Sequence, residues 1–266
     1  MYITHTNSTN TLLKELLAKG EWPEGESFLR AGYQSAGRGQ TGNSWESEAD
    51  KNLLCSILVD RQEIQDESPF FLNVAVSVAL HRVVAETIWL TTLEDEADKP
   101  LSIKWPNDLY YGDKKLAGIL IENAILGNTL QYSIAGIGLN VNQTEWRSDA
   151  PNPLSLKTIC DAVNGEEEEL NIADLMDALD LELKQVLTEP RNLTWWYYKS
   201  HLYRREGMWP FVEREVTTAP TMNADAQAQG RFDARIEDVL PTGEIVLRDA
   251  QNQQRIYHFK QVRYVI

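Results

Sequence analysis

Arg38 stands between two glycines in the run Ala36-Gly37-Arg38-Gly39-Gln40-Thr41-Gly42-Asn43-Ser44-Trp45. Glycines beside a cation let the backbone come close to a ligand, and a cation so placed suits an anion. The run also spells G-x-G-x-x-G, which in a dinucleotide site ends a strand and opens a helix facing the pyrophosphate. No such helix is predicted here. Residues 43–52 are polar without an apolar helical period, and the next apolar run, residues 53–59, has strand length. Asp60 lies at about the spacing of a ribose-binding acid, but without the intervening helix it carries little weight. The glycines therefore fall in a long loop between two strands, residues 27–33 and 53–59. A plain surface loop shares this turn-forming composition; the arginine favours a lid over an anion.

A second set of charged residues lies in Lys104-Trp105-Pro106-Asn107-Asp108 and Lys114-Lys115. Residues 101–105 and 116–122 read as strands, and Gly112-Asp113 offers a two-residue turn between Tyr111 and Lys114. That turn pairs Tyr111 with Lys114, Tyr110 with Lys115 and Asp108 with Ala117. Alternation then sets Asp108, Tyr110, Lys115 and Ala117 on one face, with Asp108 diagonal to Lys115. Lysines on an edge hairpin also guard against edge-to-edge pairing, and Asp108 can simply cap a turn after Pro106. In a third strand, residues 130–140, Gly136 and Gly138 leave one face bare, as where a ligand or backbone comes close.

These groups need elements to hold them. Leucines at 12, 13, 16 and 17 predict a helix over residues 11–19, preceded by Ser8, Thr9 and Asn10 and stopped by Gly20. Residues 70–88 predict a well-buried helix after Pro69, residues 171–187 an amphipathic helix, and residues 193–205 an aromatic one. Residues 91–100 and the run 166–169 read as solvated charge. Beyond Gly207 short alternating runs at 211–217, 231–236, 244–248 and 255–259, with turn residues between, predict a small all-β unit. The expected fold class is α+β: a mixed, largely antiparallel sheet with helices on one side, residues 1–206, followed by a small β-barrel-like domain, residues 207–266.

Bulk properties narrow the function. The chain has 266 residues, 42% of them hydrophobic, enough for a sizeable core. Its net charge of -15 argues against nucleic acid as a partner and makes any anion site local. The two cysteines, Cys55 and Cys160, lie in apolar contexts without C-x-x-C spacing and read as buried thiols of a reducing compartment. Four scattered histidines offer no metal-ligand spacing. The N-terminus lacks a signal-peptide pattern, and no apolar run reads as long enough to cross a bilayer, so a cytoplasmic protein is expected.

Three stretches stand in one order: GRGQTGNSW at 37–45, KWPND with KKLAGILIE at 104–108 and 114–122, and AGIGLNVN at 135–142. Together they resemble the biotin protein ligases, the biotin-[acetyl-CoA-carboxylase] ligase family. The resemblance runs from about Asn7 to Asn142 and weakens beyond. It implies a reaction in which the carboxylate of biotin attacks the α-phosphate of ATP, pyrophosphate leaves, and a lysine of a biotin carboxyl carrier protein then attacks the biotinyl-adenylate. Two anions must meet, which calls for fixed cations and Mg²⁺ carried with the ATP phosphates.

By that resemblance Lys115 contacts both the biotin carboxylate and the α-phosphate, and Arg38 clamps the intermediate. Lys104 and Asp108 serve the phosphates and the metal or acceptor lysine. Ser8, Thr9, Asn10 and Gln34 read the ureido ring, with Gly37 and Gly118 close to biotin. Gly39, Gln40, Trp45, Asn107 and Asn140 complete the adenylate site. Where many members carry a second arginine, this chain has Gln40, which predicts weaker retention of the intermediate. The motif containing Ser8 begins so early that a short form without a DNA-reading helix-turn-helix domain is expected, as monomer or homodimer. The rivals are a lipoate or octanoate ligase or transferase of the same superfamily, and a non-catalytic biotin-binding module. An acyl transferase using Cys55 is a poor fit, because the thiol sits in an apolar strand.

Overall fold

The computed structural model describes residues 1–39, 43–64, 68–92, 101–127, 129–147, 152–165, 168–214 and 230–266. Seven strands form one sheet: β1 (Tyr2–Thr6), β2 (Phe28–Gln34), β3 (Asn52–Asp60), β4 (Leu101–Lys104), β5 (Asp108–Tyr111), β6 (Lys114–Leu126) and β7 (Thr129–Asn140). Their order is β1-β2-β3-β7-β6-β5-β4. The β1 and β2 pair is parallel, and every other neighbouring pair is antiparallel.

The two faces of this sheet differ. In the central pair, Cys55 opposes Ile137 and Ile57 opposes Ala135, while Leu54 opposes Gly138, Ser56 opposes Gly136 and Leu58 opposes Ile134. Alternation thus gives one face of Leu53, Cys55, Ile57, Val59, Ala135, Ile137 and Leu139, all in the main core. Four helices share that core: α2 (Phe71–Thr92), α3 (Leu156–Asn164), α4 (Ile172–Thr188) and α5 (Arg191–Ser200). Helix α2 is apolar on all sides and correspondingly buried, from Phe71 and Leu72 to Val84 and Ile88. By length and composition it meets the test for a membrane span, which the sequence did not show; most of it is packed inside the protein, as a core helix is.

Helix α1 (Thr9–Lys19) lies on the other face, where one-sided helices were expected. Leu13 packs there with Leu29 and Ile134, beside Leu58 and Tyr132. Without this cover, the apolar end of the second face would meet water. The rest of that face, around Ser56, Gly136 and Gly138, is left for the cleft described below.

A second sheet, antiparallel throughout, comprises β8 (Trp209–Glu213), β9 (Arg231–Val239), β10 (Ile245–Asp249), β11 (Gln254–Tyr257) and β12 (Val262–Tyr264) in the order β11-β10-β9-β8-β12. Phe211, Ile236, Leu247 and Tyr264 join the main core, and Trp105 Nε1 donates to the Gly243 carbonyl at 3.0 Å. Residues 93–100, 166–167 and 215–217 of the sequence expectations lie outside the described residues. The sequence reading missed β1, α3 and β12, and it extended α5 past Ser200. These are short elements with few periodic positions to read.

Candidate active site

The hairpin of β5 and β6 turns on Gly112 and Asp113, with Gly112 at φ 55°, a left-handed conformation that suits glycine. Tyr111 opposes Lys114 and Tyr110 opposes Lys115, but Leu109, rather than Asp108, opposes Ala117. Leu116 is the extra residue, a bulge. Its consequence is which residues share a face with Lys115. In a regular strand, residues three apart point to opposite sides; Lys115 shares the face of Asp108 through its pairing with Tyr110, and the bulge adds Gly118 to that face while Ala117 turns with Leu109 into the core. The Lys115 N–H donates to the Asn152 carbonyl at 2.8 Å, and its carbonyl accepts from Leu154 N–H at 2.9 Å.

Around Lys115 the expected charges gather. Its Nζ lies 2.6 Å from Asp108 Oδ2. Lys104 pairs with Asp108 across β4 and β5, and its ammonium lies over the Tyr110 ring at 4.9 Å. Burial pushes the Lys104 pKa down, while Asp108 partly counters the shift.

The glycine loop folds as a small ladder. Arg38 bridges Ser44, Gly39 N–H donates to Asn43, and Trp45 N–H donates to the Gly37 carbonyl. Gln40 lies outside the described residues. The ladder lays the Trp45 indole on the sheet, where a Cβ at Gly138 would come within 2.5 Å of the ring. A Cβ at Gly136 would come within 2.4 Å of the Asn10 amide. The bare strand face anticipated from these glycines is thus occupied by Trp45 and Asn10.

At the other end, Ser8 caps α1 through its carbonyl, which accepts from Leu12 N–H, and its side chain makes no capping bond. That side chain lines the cleft. Thr9 donates to Gln34 Oε1 from its N–H at 2.7 Å and from its hydroxyl at 3.1 Å. Ser56 Oγ lies 2.7 Å from Thr9 Oγ1 and also contacts Asn10 Oδ1. Asn10 Nδ2 then donates to Glu122 Oε2 at 2.8 Å.

One cleft is therefore lined by Ser8, Thr9, Asn10 and Gln34 at its polar end and by Arg38, Gly39, Trp45, Asp108, Lys115 and Gly118. A second, larger cleft meets it at Asn43 and Asp108 and carries Lys104, Lys114, Arg214, Lys260 and Arg263. A protein of net negative charge thus concentrates cations where the two clefts join. Asn107 and Asn140 stand outside this lining. Asn107 is buried, donating to Asn73 Oδ1 at 2.7 Å, and Asn140 donates to the Leu154 carbonyl at 3.0 Å, bracing the segment beside Lys115. Sequence reasoning missed Ser56 and gave Glu122 no role. The available signal was a polar residue inside an apolar strand and a carboxylate at the end of one.

Cys55 lies on a strand behind the cleft with its side chain turned into the core, and burial pushes its thiol up to about 12. It is not an activated nucleophile. Among the described residues no three His, Cys, Asp or Glu side chains converge to hold a metal ion.

The sequence profile of the Biotin/lipoate A/B protein ligase family matches residues 2–140, just over half the chain and the segment that builds the first cleft. The chain belongs to this family. The bifunctional ligase/repressor BirA of Escherichia coli (strain K12) is 35% identical over 136 residues, 51% of this chain and 38% of that protein. A biotin--[acetyl-CoA-carboxylase] ligase of Mycobacterium tuberculosis is 32% identical over 154 residues, 58% of this chain and 53% of that protein. The chain thus spans about half or less of the length of these curated family relatives.

Among solved structures, biotin protein ligase from Aquifex aeolicus in complex with biotin and ATP superposes with a TM-score of 0.70 at 19% identity, covering 100% of this chain and 98% of that one. That from Leishmania major in complex with biotinyl-5-AMP gives 0.66 at 21% identity, covering 97% of each chain. At such identities the likeness shows the fold, both sheets included.

Proposed function

We propose that the protein joins biotin to a lysine of a biotin carboxyl carrier protein through a biotinyl-5'-AMP intermediate. One observation carries this: the bulge in β6 puts the Lys115 ammonium on the same sheet face as a hydrogen-bonding pocket and at the junction with a cation-lined cleft. In the first step a carboxylate oxygen bonds to the α-phosphorus of ATP, and the bond to the departing pyrophosphate breaks. Negative charge builds on the phosphoryl oxygens as two anions meet. A fixed ammonium between them stabilises that arrangement more than it stabilises the separated reactants. Arg38, from the opposite wall, adds a second cation, and closing the loop over the mixed anhydride keeps water away. In the second step an uncharged acceptor amine attacks the acyl carbon and AMP departs.

The triphosphate fits the cleft of Lys104, Lys114, Arg214 and Arg263. Mg²⁺ suits the site because it is held by nucleotide phosphates with only one or two protein carboxylates, and Asp108 stands at the junction. When bound, Mg²⁺ supplies charge neutralisation on those phosphates. We assign residues 1–206 to the catalytic unit and residues 207–266 to a small domain that contributes Arg214, Lys260 and Arg263 to the second cleft, and we place the protein in the cytoplasm.

The polar end of the cleft favours biotin over its superfamily rivals. A ureido ring both donates and accepts hydrogen bonds, whereas an octanoyl chain or a dithiolane would cover the polar lining of Ser8, Thr9, Asn10 and Gln34 without offering it a hydrogen bond. Biotin-dependent ATP-pyrophosphate exchange with Mg²⁺, run beside lipoate and octanoate, tests the assignment. Exchange with biotin alone, reduced at least about a hundredfold in Lys115→Ala, is expected from the loss of a charge-stabilising group. Exchange with lipoate would move the protein to the lipoate branch, and binding of biotin without exchange would leave a binding module.

A further inference from the structure

Glu122 lies on the cleft side of the sheet, bonded to the lining residues Asn10 and Arg38, where a bare carboxylate would repel an anionic ligand. Its two oxygens are instead divided. Oε1 accepts from Lys14 Nζ at 2.6 Å, while Oε2 accepts from both Asn10 Nδ2 at 2.8 Å and Arg38 NH2 at 2.7 Å. Arg38 is on the glycine loop, while Asn10 and Lys14 stand about one turn apart on α1, so one strand carboxylate joins a loop cation to a helix. We propose that Glu122 is a positioning residue that holds Arg38 over the cleft before substrate arrives and links it to the pocket residue Asn10, while Lys14 keeps the carboxylate neutralised when Arg38 turns to the phosphoryl group.

The role follows from the division of labour. Glu122 stays ionised because Lys14, Asn10 and Arg38 favour its charged form over the opposing effect of burial. A loop cation without a resting partner would sample many rotamers, and ordering it would weaken binding of the ligand it clamps. With Glu122 in place, Arg38 has already lost much of that freedom. Exchanging one charge-assisted bond for another then requires little reorganisation.

The inference rests on the proposed ligase reading for its kinetic consequence, but its structural core is testable without substrate. Trypsin cleaves after Arg38, and Glu122 holds that side chain. In the full-length, ligand-free protein, Glu122→Gln is expected to speed cleavage after Arg38 about fivefold, the scale of a partly exposed ion pair, with cleavage after Arg30 in β2 unchanged. Lys14→Met, which leaves Oε2 to Arg38, is expected to cleave as the parent does. Equal acceleration at both sites, no acceleration after Arg38, or the same acceleration in Lys14→Met would overturn the proposal.

In the exchange assay, Glu122→Gln is expected to raise the biotin KM about fivefold with little change in kcat, and to add nothing in an Arg38→Ala background. Equal effects in both backgrounds would show that Glu122 does not act through Arg38. A parent without biotin-dependent exchange would sink the ligase reading while leaving the proteolysis result to decide the role of Glu122.

Discussion

Lys115 and Cys55 show how much environment decides at a single residue. Both stand on strands of the same sheet, yet one is a charged group in the cleft at a junction of cations and the other a thiol turned into the core and held neutral by burial. Native protein is expected to show no rapid reaction with a thiol reagent at neutral pH, and both Cys55 and Cys160 to react once unfolded in denaturant. Fast labelling of Cys55 in the native state would revive a thiol mechanism. Gln40 bears on intermediate retention: an amide donates hydrogen bonds but adds no charge. Gln40→Arg is expected to slow release of biotinyl-adenylate in a filter or gel-filtration assay, and an unchanged release rate would remove that explanation. At this scale the sequence was legible where chemistry depends on residue type and near neighbours, as with Asp108 and Lys115. It was silent on Glu122, whose partners Lys14, Asn10 and Arg38 lie 84 to 112 residues away.

Strands β6 and β7 carry the cleft because of what they leave out. Gly136 and Gly138 make room for Asn10 and Trp45, so each glycine is matched to a side chain from another element. Gly138→Ala would drive a methyl into the indole and is expected to lower stability by about 1–3 kcal/mol, as overpacking does. It should also weaken biotin binding by displacing the loop, measured by thermal melting and titration; a variant with unaltered binding would show that Trp45 is not a wall of the site. The hairpin around Gly112 was readable from turn chemistry, but its register beyond Tyr110 was not. A bulge inserts one residue without a sequence mark, and only the hydrogen bonds from residues 152–154 beside Lys115 show where it sits.

For the whole molecule, stability should depend on pH through the packed helices. His81 on α2 is buried between the Leu101 carbonyl, 3.1 Å from Nε2, and the Tyr197 hydroxyl, 3.0 Å from Nδ1. Since a carbonyl only accepts, Nε2 carries the proton and Nδ1 accepts from Tyr197, which describes a neutral ring. Burial, aided by His201 and Arg82, pushes its pKa down to about 3. The unfolded chain therefore binds a proton near pH 6.5 that the folded chain refuses, so stability falls as pH drops from 6.5 toward 3. The slope attributable to one such proton is about 1.4 kcal/mol per pH unit. Between pH 6.5 and 5.5, above the midpoint of ordinary carboxylates, the melting temperature is expected to fall less steeply in His81→Gln than in the parent. Equal slopes would assign the effect elsewhere.

The order of motifs, the cation-bearing loop, the charged hairpin, the antiparallel sheet and the all-β C-terminal segment were all present in the sequence, because each depends on local periodicity, turn residues or composition. The tertiary structure alone decided that α1 covers the opposite face from the other helices, that the strand glycines receive Trp45 and Asn10, and that Lys115 faces the pocket. Those outcomes depend on which distant surfaces meet and on a one-residue change of register, and a strand's side chains change face with every residue.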